Sequence, residues 1–264
     1  MRSTFRSMAC VLAVSAVCAA GCNTDAVDPY ASKSPPPAAK ASPGGIWRGT
    51  DSISGFPVIG IVDESGDFHF IRTDNVQYTG TASVSATNSV SANLEGFTPL
   101  GYQFADGSAH GTGTVSGPLQ ERTSMSLTTT FKTDKGTTSN GTLDLTFDSQ
   151  YNRSSSLTTI SGNFKNGQNG PVITVGSNGS VFSQDAASGC VLNGTVTVID
   201  ASYNAYRVQF SYESCTGQSA ALNGVQFSGL ATLDNAVSPE QLVIGVTGQS
   251  GNTKLAVVYD LVRQ

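Results

Sequence analysis

The sequence predicts an all-β protein: two tandem, antiparallel, eight-stranded up-and-down barrels from an internal duplication. Three observations carry this. Only 12 % of the 264 residues are charged and 29 are glycine, against the Ala/Glu/Lys/Leu-rich composition that long helices need. Apolar and polar residues alternate with period two in short runs separated by glycine-containing turns. The second half of the chain also repeats the first in register.

The repeat is clearest where Pro57-Val58-Ile59-Gly60-Ile61 meets Pro171-Val172-Ile173-Thr174-Val175. At the same offset Phe68 meets Phe182, Gly80-Thr81 meets Gly194-Thr195, and Val84 meets Val198. Further on, Gly113 meets Gly229 and Leu127 meets Val243. Repetition on this scale marks a duplicated structural unit. The organisation is therefore a leader (1–21), a cysteine with a Pro/Ala/Ser tether (22–43), and barrels over 44–152 and 153–264.

The first copy reads as strands near 45–51, 57–62, 67–72, 77–86, 89–95, 109–116, 123–132 and 141–148. Met125-Ser126-Leu127-Thr128-Thr129-Thr130-Phe131 and Leu143-Asp144-Leu145-Thr146-Phe147 show the alternation plainly. The second copy reads as strands near 157–164, 171–175, 180–183, 190–199, 205–213, 223–233, 241–247 and 253–262. No connection is long enough for a crossover helix, so the pairing is antiparallel. Closure into a barrel removes exposed strand edges. The expected interior of the first copy is Trp47, Ile59, Ile61, Phe68, Phe70, Leu94, Met125, Leu127, Phe131, Leu143, Leu145 and Phe147. Side chains of this size should fill a barrel of short strands.

The N-terminus reads as an export signal. Arg2 and Arg6 precede an apolar stretch from Met8 to Ala20, too short to span a bilayer. The stretch ends in Ala19-Ala20-Gly21-Cys22. This resembles the lipobox of bacterial lipoproteins, with Ala19 where that family most often has leucine. The resemblance implies that Cys22 is acylated and becomes the first residue of the mature chain. Asn23 in place of aspartate implies sorting to the outer membrane. Residues 23–43 hold Pro35-Pro36-Pro37 and little that could be buried. Fully extended they would reach ~65–75 Å, and as a flexible coil ~25 Å.

Gly45-Ile46-Trp47 on a first strand is similar to the Gly-x-Trp opening of lipocalins and avidin-like barrels. The barrels also resemble those of bacterial surface lipoproteins such as the transferrin-binding and factor H-binding families. The likeness implies architecture only.

Residues 22–264 carry 12 basic and 19 acidic side chains, a net charge of −7. Without a basic cluster this argues against a nucleic-acid partner. His69 alternates with Phe68 and Phe70, which places it on the outer face and predicts solvent exposure. His110 begins a strand and is likewise expected to be exposed, and neither histidine recurs in the second copy or has metal-ligand spacing. The turn Asp63-Glu64-Ser65-Gly66-Asp67 is acidic, but its counterpart Ser177-Asn178-Gly179 is not, so a solvated hairpin turn is expected rather than a calcium site. No catalytic motif, metal site or cofactor is expected.

Cys10 and Cys18 lie in the leader, which leaves Cys190 and Cys215 as a pair in an oxidising compartment. The two residues flank a hairpin centred near Ser202. Strict pleating would send them to opposite faces. A bulge near Glu213–Cys215, or a strand end there, is needed to join them.

The functional expectation is a non-enzymatic, lipid-anchored protein of the outer membrane, acting as a surface-interaction or structural module with an unidentified protein partner. The alternative is a carrier of a small apolar ligand, which would need an enclosed cavity of ~300 Å³ or more.

Overall fold

The computed structural model describes residues 40–167 and 170–264. The chain is all-β. Barrel 1 consists of β1 (Gly45–Asp51), β2 (Pro57–Val62), β3 (Asp67–Arg72), β4 (Gln77–Thr81), β5 (Ser83–Val84), β6 (Ser89–Phe97), β7 (His110–Gln120), β8 (Ser124–Thr133) and β9 (Thr138–Asp148). Neighbours in sequence pair antiparallel, and β1 closes the barrel on β9. β4 and β5 run along β6 in one register, Gly80 opposite Leu94 and Ser83 opposite Ser91. They are one barrel strand interrupted at Ala82, whose N–H turns aside to the Gly66 carbonyl at 2.8 Å.

Barrel 2 consists of β10 (Gly162–Lys165), β11 (Val172–Val175), β12 (Ser180–Gln184), β13 (Val191–Val198), β14 (Tyr206–Glu213), β15 (Gln226–Asp234), β16 (Gln241–Ser250) and β17 (Thr253–Arg263). It closes through β10 and β17. The two barrels repeat the same strand succession, as expected of a duplicated unit. The strand expected over 157–164 begins only at Gly162. Leu157–Ile160 instead form one helical turn, capped by Ser156, whose Oγ accepts from the Thr159 N–H at 3.0 Å.

Each barrel is filled by its own side chains. In barrel 1, Trp47, Phe68, Phe70, Leu94, Val115, Met125, Leu127, Phe131, Leu143 and Leu145 form one buried cluster. The void among them is about 10 Å³, room for about one water. Ile59 and Ile61 were expected in this interior and are not there. Gly60 faces inward instead, opposite Trp47 and Phe70. A methyl group at position 60 would stand 2.2 Å from the Phe70 ring. β2 therefore turns both isoleucines outward.

Gly45 serves the same packing. A β-carbon there would lie 2.5 Å from the Trp47 indole nitrogen, so the Gly-x-Trp spacing is steric. Barrel 2 packs around Phe164, Leu192, Tyr206, Val208, Phe210, Phe227, Leu242 and Leu261. Its mouth beside the disulfide holds a cavity of about 190 Å³, reached by Tyr212 and Tyr259, whose hydroxyls are 2.6 Å apart. Burial pushes both phenols up from their ordinary value.

Cys190 and Cys215 are disulfide-bonded, with Cα atoms 4.0 Å apart. The register pairs Val191 with Glu213, so strict continuation would place Ser214 opposite Cys190. Ser214 takes a left-handed φ of +60° and ends the strand, which swings Cys215 across to its partner. The bond closes a separation of 25 residues. Replacing both cysteines by serine is expected to lower stability by about 3 kcal/mol. Urea denaturation of oxidised and double-serine protein measures this, and unchanged midpoints would refute it.

Candidate functional site

The outer faces of β1, β2 and β3 carry a patch of buried side chains as well. Ile46, Ile61, His69 and Ile71 all point away from the barrel 1 interior, and all are buried. Ile61, His69 and Ile71 are covered by barrel 2, where β15 and β16 pack on β2 and β3, and Ile46 packs with Tyr151 and Ala205. His69 was expected in solvent and is 5 % exposed. Its placement on the outer face follows the pleat, but that face is a junction between barrels.

Barrel 2 supplies glycines where barrel 1 presses closest. A β-carbon at Gly229 would come within 2.9 Å of His69 Cε1. One at Gly245 would meet Ile71 Cδ1 at 2.8 Å and Gln77 Oε1 at 2.9 Å. Gln77, fully buried, joins the two sheets. Its Nε2 donates to the Val246 carbonyl at 2.9 Å, which turns Oε1 toward His69. The Nδ1–H of His69 donates to that oxygen at 2.9 Å, so the network assigns the neutral Nδ1–H tautomer. Burial pushes the His69 pKa down to about 4; the Gln77 bond and Asp67 oppose the shift, and Arg207 adds to it.

The acidic turn is also part of the junction and is not the solvated hairpin expected. Asp63, 1 % exposed, accepts from the N–H groups of Ser65 and Asp67 through Oδ1. Its Oδ2 accepts from Arg207 of barrel 2 at 2.8 Å, and Asp67 accepts from the same guanidinium at 3.1 Å. Glu64 holds Arg122 at 2.6 Å and the Tyr151 hydroxyl at 3.0 Å. The Arg122 guanidinium lies 4.7 Å from the Tyr151 ring centre and 4.8 Å from that of Tyr203, which stacks on Tyr151. Burial and the Glu64 carboxylate push the Tyr151 phenol up. Lys254 pairs with Glu95 at 3.1 Å, also from barrel 2 to barrel 1.

Beside this seam the two convex barrel walls diverge and leave an open cleft of about 490 Å³. Its floor is aliphatic: Ile59 and Ile71 from barrel 1, Val243 and Val258 from barrel 2. Arg48, Arg72, Asn75, Gln150, Asp234, Gln241 and Asp260 form the rim. Arg48 bridges Asp148 at 2.7 Å and Asp234 at 3.3 Å. Arg72 is held by Asp51 at 3.1 Å and Asp74 at 2.6 Å.

No known protein family and no curated protein matches the chain.

Of the residues singled out from sequence, Cys22 lies outside the described residues. His69 belongs to the junction. His110 pairs with Asp134 at 3.0 Å at the edge of barrel 1 and is mostly covered rather than open to solvent. Among the described residues no group of three or more His, Cys, Asp or Glu is placed to hold a metal. Sequence reasoning missed Gln77, Arg207 and the cleft. Apolarity at both parities of β2 was the available signal for a second buried face.

Proposed function

We propose that this chain is a lipid-anchored protein of the bacterial cell envelope, non-enzymatic, acting as a preassembled interaction or structural module held off the outer membrane by its tether. The observation that carries the reading is that both barrels spend their interiors on their own side chains. The voids of about 10 Å³ in barrel 1 and 190 Å³ in the mouth of barrel 2 fall short of the ~300 Å³ at which ligand pockets begin, and the hollow of about 310 Å³ at the end of barrel 1 is lined by Arg72, Asp74, Thr98 and Gln103 rather than enclosed by apolar side chains. This disfavours the carrier alternative. The polar groups of the junction are likewise engaged with one another, as suits a rigid body rather than a reaction centre.

The described chain enters barrel 1 at the end that carries the turns 63–66 and 121–123. The tether would therefore leave the opposite end facing outward. That end carries Ile53, Phe56 and Tyr102, with Tyr102 70 % exposed. Aromatic side chains of this kind are common anchors in protein interfaces.

The anchor is tested at Cys22. Wild-type protein should sediment with membranes and yield a diacylated N-terminal peptide. Cys22→Ser should leave the protein soluble or unprocessed, because stable anchoring needs more than one acyl chain. A wild-type peptide without lipid, together with unchanged membrane association of the variant, would overturn the reading.

A further inference from the structure

We propose that the cleft between the barrels binds a small alkyl-ammonium molecule: an aliphatic body carrying one cationic nitrogen. At about 490 Å³ it falls in the range of small-molecule sites, which favour domain interfaces. Neither barrel forms it alone, and it is separate from the barrel interiors that a carrier would use. The proposal needs only the docked barrels and is independent of the anchor.

The lining decides the ligand class. Ile59, Ile71, Val243 and Val258 offer branched aliphatic surface, which favours an apolar body. Both rim cations are already committed. Arg48 lies between Asp148 and Asp234, and Arg72 between Asp51 and Asp74. Asp260, also on the rim, has no ion-pair or hydrogen-bond partner among the described residues. Of the charged residues that line the cleft, Arg48 and Arg72 stand against Asp234 and Asp260, and both arginines are further held by Asp148, Asp51 and Asp74 behind the lining, so Asp260 is the one charge of the lining left unpaired among the described residues.

The side-chain amides of Asn75 and Gln241 line the same rim and make no hydrogen bond among the described residues. Each can turn a carbonyl oxygen toward a donor. An anion would find no free cation here and would face Asp260. A neutral alcohol would leave that carboxylate uncompensated. An ammonium group meets one charge and two acceptors.

The test is calorimetric titration of the full mature chain with octylammonium, octanol and octanoate below their aggregation limits. Octylammonium should saturate one site and bind about three- to fivefold tighter than the other two, as expected for one ion pair on an exposed carboxylate. Asp260→Asn removes an exposed carboxylate and should erase that preference without moving the melting temperature. Gln241→Glu adds a carboxylate to the rim and should tighten octylammonium severalfold. No saturable octylammonium binding, equal binding of the three probes, or an Asp260→Asn variant that keeps the preference would overturn the proposal.

Discussion

Trp47→Ala is expected to cost about 3–5 kcal/mol of unfolding free energy. Domains of this kind are stable by only about 5–15 kcal/mol, so the variant should lose a large share. Trp47 is fully buried at the start of β1. Its indole meets Phe147 edge-to-face at 5.5 Å, and Nε1 donates to the Pro43 carbonyl at 3.0 Å. Alanine would leave that acceptor without its partner and open a hole that Gly45 and Gly60 on either side cannot fill. Trp47→Phe keeps most of the volume and loses the hydrogen bond, so a smaller loss of about 1–2 kcal/mol is expected. Trp47 is the only tryptophan in the chain, so these variants are followed by far-ultraviolet circular dichroism in urea. A loss under about 1 kcal/mol for the alanine variant, well below the range for a buried tryptophan, would show that Trp47 does not organise the barrel.

The strands were legible because period-two alternation and glycine turns are local. β2 was found over 57–62 and β3 over 67–72, as the structure has them. The facing of β2 was not legible. Pro57-Val58-Ile59-Gly60-Ile61-Val62 is apolar at both parities, so alternation could not say which set entered the barrel. The cross-strand partners decide it: Gly60 lies between Trp47 and Phe70, where only the smallest residue fits. His69 shows the complementary limit. The pleat placed it on the outer face, but whether an outer face meets water depends on a second barrel more than a hundred residues away in sequence. Arg207 does not stand out in the sequence, and the acidic turn reads as solvated, for the same reason. Ion pairs across a junction leave no spacing signal. The disulfide was legible in its pairing, while the left-handed Ser214 that permits it was foreseen only as a needed irregularity.

Acidification is expected to weaken the protein through His69 well before carboxylates titrate. The ring is buried against Gly229, with its Nδ1–H on Gln77. Thr79 Oγ1 is 3.4 Å from Nε2, and no carboxylate touches the ring. Of the nearby charges, Asp67 favours protonation and Arg207 opposes it, so burial dominates and lowers the pKa from 6.5 to about 4. The unfolded chain therefore binds the proton more readily than the folded one. Stability is full above about pH 6.5 and falls as pH drops, by about 1.4 kcal/mol per pH unit, until the folded-state value near 4 is passed. The whole loss is roughly 3 kcal/mol, and about 2 kcal/mol of it should be gone by pH 5. For a protein of this size that corresponds to a melting temperature roughly 4–8 °C lower at pH 5 than at pH 7.5. His69→Gln keeps a polar side chain facing Gln77 but cannot titrate. Its stability should be lower at pH 7.5 and nearly flat down to pH 5. If wild type and His69→Gln fall in parallel between those two values, the buried histidine is not the group that senses acid, and the account of the junction given by Gln77 and His69 fails with it.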